Sequence, residues 1–383
     1  MNICYITNSP APYRTQQMNC FQGLEGINLT IYYSDKRGAR DWNFDQESKA
    51  REVYLKQYYL FKYQDFNFSL NTGLIKIIKE NDLIIIGGYE QFSYFVLSIL
   101  CRIYKKEYIL LFDGIQPQKI GAKTNFLKHF IIRTIVKKAK AIFANGTVSK
   151  LYFQKNYCYD ANKIYNQYLT VDIHKIDHIY QDRQHIRQLM KEKYNISDDK
   201  HVLLCVGRLI DLKNVGLILE AVKLINNNEQ YTIMIVGDGP ERLKLEEKAK
   251  SYGINAIFTG NIPNPTEVFK HYMVSDLFVF PTTHEAWGLV VNEAMAAGLP
   301  VLCSKGAGAS MDLIKENENG FTFDYNNPEE LSNQLKIMFE DSERLLSYGV
   351  KSKEIIKEWT FDNSKASFYR MLLQEGLLGR MRE

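Results

Sequence analysis

Short apolar runs bounded by turn residues recur along this chain, and a stretch of helical pattern follows most of them. Residues 2–7 (NICYIT), 29–33, 82–88 (DLIIIGG), 108–112 (YILLF) and 141–144 read as strands. Residues 14–24, 72–80, 91–104, 123–138 and 147–157 read as helices. Strands apolar throughout, alternating with helices, require a parallel sheet covered on both faces. Residues 34–71 are polar and tyrosine-rich, hold Trp42, and read as a long connection or a hairpin. Residues 171–200 form a charged joint with one amphipathic helix over 178–194, and the alternation then restarts. Strands are expected in HVLLCV (201–206), YTIMIV (231–236), AIFTG (256–260), DLFVF (276–280) and PVLCS (300–304). Helices are expected up to residue 225, after the turn GDGPERL, over 265–273 and from residue 309. A chain of 383 residues is long for one core and comfortable for two. The expected fold is therefore α/β, with two Rossmann-like halves facing across a cleft. The boundaries fall at 1–172, 173–360 and 361–383, the last a helix returning to the first half.

Ligands of such sheets lie beyond the carboxyl ends of the strands. In the first half that selects three loops, residues 8–14, 87–90 and 113–118. Asp113, in LLFDGIQP, is at such an end; it is either functional or a turn-former before glycine.

Residues 281–301 (PTTHEAWGLVVNEAMAAGLPV) concentrate the chemistry of the second half. Glu285 and Glu293 have seven residues between them. Trp287-Gly288 can redirect the chain, residues 294–297 are strong helix formers, and Gly298 with Pro300 forms a stop. The spacing predicts a helix from near Gly288 to near Ala297, with Gly298 just past its end. The backbone N–H groups of Gly288, Leu289 and Val290 would then point out of a helix N-terminus, which suits a phosphate. Glu285, just ahead, would repel that phosphate, so it faces a hydroxyl-rich neutral group or a developing positive charge. His284 either lines the same place or has no role.

GRLIDLKN (207–214) follows a strand and carries Arg208 and Lys213. In isolation these are two solvated cations; beside residues 281–301 they suit a diphosphate, Arg as a fork and Lys as a point charge. VGDGPERL (236–243) is GxGxxR rather than a dinucleotide fingerprint. A tight turn into a helix with Pro240 at its first position accounts for it.

The net charge of +4 gives no reason to expect a nucleic-acid partner. The charge is uneven: residues 101–150 hold eleven Lys or Arg against Glu107 and Asp113. The basic helix within residues 119–140 (Lys119 to Lys140) also carries Phe126, Leu127, Phe130, Ile131 and Ile135, which could face the core or a membrane, so it suits either an ordinary helix with a solvated basic face or an anionic membrane surface. Six scattered cysteines without a CxxC pair read as free thiols in a reducing compartment. Neither a signal peptide nor a run long enough to span a bilayer is visible, so a cytoplasmic location is expected. No HExxH set is present and no metal or cofactor is expected.

GRLIDLKN, VGDGP, TGNI and above all HEAWGLVVNEAMAAGLPV resemble the retaining glycosyltransferases of the GT-B fold, family four (group 1), whose mark is Glu-x7-Glu. The likeness is specific over residues 202–323 and weaker in the first half, where NSPAPYR is similar to the N-terminal loop of some members. The resemblance implies a nucleotide-diphosphate-sugar donor, UDP foremost, held by the second half and an acceptor held by the first. By it Arg208 and Lys213 bind the diphosphate, Glu285 the sugar, and Glu293 the ribose. The backbone of Asn261 and Ile262 would meet the base, and the Gly288 and Leu289 amides the phosphate. Tyr13, Arg14 and Asp113 fall to the acceptor, with Asp113 also a catalytic candidate beside Glu285, Lys213 and Arg208. Two departures stand out: the first loop has prolines where many members have glycines, and Phe112-Asp113 replaces His-Asp. The acceptor implied is a lipid-linked or polysaccharide glycan of the cell surface, reached at the inner membrane face. A nucleotide-sugar epimerase, an NAD-dependent oxidoreductase and a catalytically dead sugar-binding module are the alternatives. The missing GxGxxG after the first strand disfavours the oxidoreductase, and the presence of both glutamates and both cations disfavours the dead module.

Overall fold

The structure is a computed structural model that describes residues 1–34, 47–63 and 66–378. Trp42 lies outside the described residues. The chain forms two compact units. One comprises Met1–Ile115, Lys119–Leu169 and Phe361–Glu383, the other Gln116–Gln118 and Thr170–Thr360.

The first unit is built on β1 (Asn2–Thr7), β2 (Asn28–Tyr33), β3 (Arg51–Tyr54) and a hairpin of β4 (Gln57–Tyr63) with β5 (Phe66–Asn71). β6 (Leu83–Ile86), β7 (Tyr108–Phe112), β8 (Ile142–Ala144) and β9 (Ile164–Asn166) follow. Seven of these pair in the order β3-β2-β1-β6-β7-β8-β9, all parallel, while β4 and β5 pair antiparallel apart from them. Residues 34–71 thus supply an edge strand as well as a hairpin. β9 is only three residues long, too short to show a period. The sheet reverses its direction of growth between β1 and β6, which places the loops after β1 and β6 at its switch point and the loop after β7 one strand away.

One face of this sheet is covered partly by the C-terminal helix Phe361–Gln374. Phe368, Met371 and Leu372 are buried among Ile3, Phe21 and Phe143. The Phe368 ring stacks on Phe21 at 4.2 Å, 5° from parallel. The last helix is therefore part of the first unit's core, although most of the second unit separates it from that unit in sequence.

The second unit holds β10 (His201–Val206), β11 (Tyr231–Val236), β12 (Asn255–Phe258), β13 (Leu277–Phe280), β14 (Val301–Ser304) and β15 (Gly320–Phe323). They pair in parallel in the order β12-β11-β10-β13-β14-β15, so the switch point lies between β10 and β13. Three local expectations change. The single helix over 178–194 is two, Ile173–Tyr180 and Arg183–Lys193, the first capped by Asp172 accepting from Lys175 N. The helix after GDGPERL begins at Arg242, so Pro240 belongs to the turn ahead of it rather than to its first position. The helix expected from residue 309 is one short turn, Ser310–Leu313.

Candidate functional site

In the second unit the loops that leave β10 and β13 are zipped together. Thr282 Oγ1 and Thr283 N each donate to the Leu212 carbonyl at 2.9 Å. Lys213 ends a tight turn over Asp211–Lys213, after which Asn214 turns left-handed and donates through Nδ2 to Tyr325 O at 2.8 Å. This geometry aims the Lys213 ammonium at Glu285, with which it pairs, 5.1 Å above the Phe280 ring. Both partners are mostly buried, their side chains 20% and 27% exposed. Arg208 lies exposed at the head of the same loop. His284 is exposed, its ring 6.1 Å from that of Tyr325.

Glu285 is held from a second side by residues the sequence reading did not single out. Its N–H donates to Gly306 O and its carbonyl accepts from Gly308 N, both at 3.0 Å. Gly306 lies so close to the Thr282–Thr283 backbone that a Cβ there would come within 2.3 Å of Thr283 O. Only glycine permits that approach, and KGAG (305–308) is the sequence signal that could have revealed it. Gln118 Nε2 also donates to Thr283 O, at 2.6 Å.

The helix expected after Trp287-Gly288 runs Leu289–Ala296, and Gly288 is its N-cap at φ 106°. A Cβ on Gly288 would sit 2.6 Å from the Phe280 ring, so both space and φ demand glycine. No side chain caps this end, and its first turn is free of acids. The first N–H groups have no intrahelical partner and carry the positive end of the dipole. Gly298, at φ 70°, closes the other end.

Glu293 lies on that helix, where its Oε2 accepts from Tyr272 Oη at 2.6 Å. Burial pushes its carboxyl up to about 7, while the tyrosine bond acts the other way. Tyr272 is itself fully buried. Asn261 and Ile262 follow β12, in a loop tied to the VGDGP turn by Gly237 N donating to Gly260 O at 3.1 Å. The glycines of VGDGP serve backbone packing: a Cβ on Gly237 would lie 2.0 Å from Gly207 O, and one on Gly239 2.3 Å from Leu209 O. The loops bearing Arg208, Lys213, Asn261, Glu285 and Gly288 are thus all at the carboxyl end of this sheet, after β10, β12 and β13.

In the first unit the structure brings together Tyr13, Arg14 and Asp113. Asp113 follows β7, and the two others lie in the first turn of the helix Pro12–Gln22. Tyr13 Oη donates to Asp113 Oδ2 at 2.8 Å, and Arg14 pairs with Asp113 Oδ1. Arg14 is buried, whereas the Asp113 side chain is 44% exposed, so the carboxylate, not the guanidinium, meets solvent. Glu90, after β6, folds back so that its Oε2 accepts from Tyr89 N at 3.0 Å. Burial raises its carboxyl above the usual range. Gly88, at φ 121°, makes room for it, since a Cβ would fall 2.3 Å from Glu90 Oε2.

Among the described residues no three His, Cys, Asp or Glu side chains are grouped to hold a metal, although His174 and His178 stand four apart on one helix. The six cysteines are free. A cavity of about 570 Å³ opens at the opposite, amino ends of the first unit's strands, beside Met1, Asp82 and Glu107, and touches none of these groups.

Residues 186–354 match the family model described as "Glycosyl transferases group 1". The N-acetyl-alpha-D-glucosaminyl L-malate synthase of Bacillus anthracis is 22% identical over 314 residues, 80% of this chain and 78% of that protein. A protein of Methanocaldococcus jannaschii named as an uncharacterized glycosyltransferase is 28% identical over 176 residues, 45% of each chain. The chain thus matches less than half the length of that relative. The crystal structure of Anabaena HepE in complex with UDP superposes with a TM-score of 0.74 at 16% identity, covering 98% of this chain and 100% of that one. HepE has also been solved with UDP-glucose, at a TM-score of 0.70 and 17% identity over 98% and 100% of the chains. The relatives are named for sugar transfer or glycoside synthesis, which leaves the epimerase reading without support. The two parallel-sheet units have the GT-B fold, and over residues 186–354 the chain is similar to the group 1 glycosyl transferases.

Proposed function

We propose that this protein transfers a sugar from a nucleotide-diphosphate sugar to an acceptor hydroxyl with retention at the anomeric carbon. The observation that carries this reading is the Lys213–Glu285 pair at the switch point, beside the uncapped helix that starts at Leu289. Three positive groups, Arg208, Lys213 and that helix end, lie where a leaving diphosphate would gather charge. They do there what a divalent cation would do, so turnover is expected to survive chelation. Glu285 faces the sugar and its developing cationic character, Glu293 the ribose hydroxyls, the Asn261–Ile262 backbone the base, and the Gly288 and Leu289 amides the phosphate. UDP is the nucleotide proposed, on the likeness to a protein solved with UDP and with UDP-glucose.

Retention has two routes. A carboxylate already held against an ammonium is a poor nucleophile, which favours attack from the leaving-group face over a covalent intermediate on Glu285. The departing phosphate oxygen then takes the acceptor proton. In the first unit Asp113, steadied by Tyr13 and Arg14, accepts a hydrogen bond from the acceptor. A thermal-shift panel of UDP, GDP, dTDP and CDP tests the donor site, and product stereochemistry read by NMR tests retention. The expected result is stabilisation by UDP that weakens in Arg208→Ala and Lys213→Ala. Equal stabilisation of all three proteins, or none by any nucleotide, would refute the reading.

The acceptor proposed is a lipid-linked or polysaccharide glycan reached from the cytoplasmic face of a membrane. Among the described residues no helix is long and apolar enough to cross a bilayer. The helix Phe126–Lys138 nevertheless exposes Phe126, Leu127 and Phe130 alongside Arg133, Lys137 and Lys138, and Lys123 is exposed just ahead of it. Apolar wedges among cations suit an anionic lipid surface, at about 1 kcal/mol per cation near the bilayer. Vesicles containing phosphatidylglycerol should sediment the protein, and Phe126→Asp with Phe130→Asp should release it. Sedimentation indifferent to lipid charge and to salt would end the membrane proposal.

A further inference from the structure

The carboxylate of Asp113 is gripped by more than its two immediate partners. Arg14 is 5% exposed, and its Nη1 donates to Gln17 and, at 3.1 Å, to Gln167 Oε1. Gln17 is 1% exposed; its Nε2 donates to Ser364 Oγ at 2.7 Å and to Gln167 O at 3.3 Å. Gln167 is fully buried, and its Nε2 donates to the carbonyl of Phe112, the residue before Asp113. The connections close on themselves. Gln167 holds the peptide on which Asp113 sits and also holds the arginine that sets its side chain. Ser364 comes from the C-terminal helix, which is anchored independently by Ser367 Oγ to Asn166 O at 2.6 Å and by the Phe368 ring on Phe21.

A buried guanidinium costs little only when its donors are satisfied, and its planar fork leaves few ways to satisfy them. Shifting Gln17 or Gln167 therefore shifts Arg14, and with it the carboxylate oxygens. Because catalysis is sensitive to misplacement on the ångström scale, such a shift is felt at an acceptor resting on Asp113. We infer that Gln17, Gln167 and Ser364 are positioning residues: they act on the acceptor through Arg14 and Asp113, so the C-terminal helix sets acceptor geometry. This rests on the reading of Asp113 as the group that meets the acceptor.

The test follows UDP release from UDP-glucose, with and without an alkyl glucoside as hydroxyl acceptor, together with UDP affinity and melting temperature. Ser364→Ala and Gln17→Leu should lower the acceptor-stimulated kcat/KM about five- to tenfold, the loss of one or two hydrogen bonds. UDP affinity and acceptor-free hydrolysis should stay within about twofold, since those report on the second unit's site. Ser364→Thr, which keeps the hydroxyl, should restore transfer. The milder Ser364→Ala keeps the test decisive if Gln17→Leu does not fold. Transfer at the native rate in Ser364→Ala and Gln17→Leu, with Asp113→Asn impaired, overturns the inference alone. Native transfer in Asp113→Asn overturns the reading beneath it. Parallel loss of UDP affinity and transfer also overturns it, because the effect is then general.

Discussion

Replacing Lys213 by alanine tests the donor site most directly. The ammonium is 20% exposed and its partner Glu285 27%, so solvent screens this pair less than a surface one. A hydrogen bond to a charged group contributes about 1.5–3 kcal/mol when its partner is placed for it. If that interaction strengthens as the diphosphate leaves, its removal slows turnover by about 10- to 150-fold. The loss should appear in kcat and kcat/KM alike, as for an interaction made in the transition state. Stability should suffer less. Glu285 keeps its backbone bonds to Gly306 and Gly308, and its exposed fraction lets water replace the ammonium. A cost of about 1 kcal/mol moves the melting temperature of a unit this size by about 2–4 °C. The assay is steady-state UDP release from a UDP-sugar, with unfolding followed in the same buffer. Glu285→Gln and the double variant complete a cycle, and the two losses should fall well short of additive because the residues act as a pair. A Lys213→Ala protein with kcat/KM within about threefold of native would refute the electrostatic account. So would a turnover loss matched by a collapse of the fold, because the lysine would then be structural.

Three further outcomes follow from the geometry. Glu293 has a folded pKa of about 7, above that of an unfolded glutamate, so the folded state binds the extra proton and stability falls as pH rises through the window between the two. Glu293→Gln should therefore melt above the native protein at pH 8 and equal to it near pH 4.5, while Tyr272→Phe should extend the window upward; a gap independent of pH would contradict this. Gly288→Ala faces both φ 106° and the Phe280 ring at 2.6 Å, so it should cost about 1–3 kcal/mol and weaken nucleotide stabilisation, read by calorimetry with and without UDP. Phe368→Ala removes a ring 1% exposed and stacked on Phe21, and should destabilise the first unit by about 3–5 kcal/mol in chemical denaturation while leaving UDP affinity intact.

The sequence by itself determined the class of fold and the location of the second unit's chemistry. Strands such as LIII and YTIMIV are apolar at every position, and only a sheet buried on both faces accommodates that. The helix Leu289–Ala296 was legible because its start and stop are local: Gly288 and Gly298 adopt conformations that few residues but glycine tolerate. Tertiary structure decided what depends on contacts distant in sequence. The Lys213–Glu285 pair joins residues 72 apart, and no local spacing announces it. Gly306 and Gly308 brace Glu285 from a loop whose glycines do not by themselves name their partner, and Gly237 is needed because another loop's carbonyl lies 2.0 Å from where its Cβ would be. Arg14 shows the difference most clearly. In the sequence it is a cation where the loop 8–14 meets a helix; in the fold its charge is neutralised by a carboxylate 99 residues on, and its donors are met by Gln17 and by Gln167, 153 residues away. Periodicity reports which face of an element is buried. Only the packed chain reports which buried polar groups face each other, and that pairing decides which charges are left to meet a ligand.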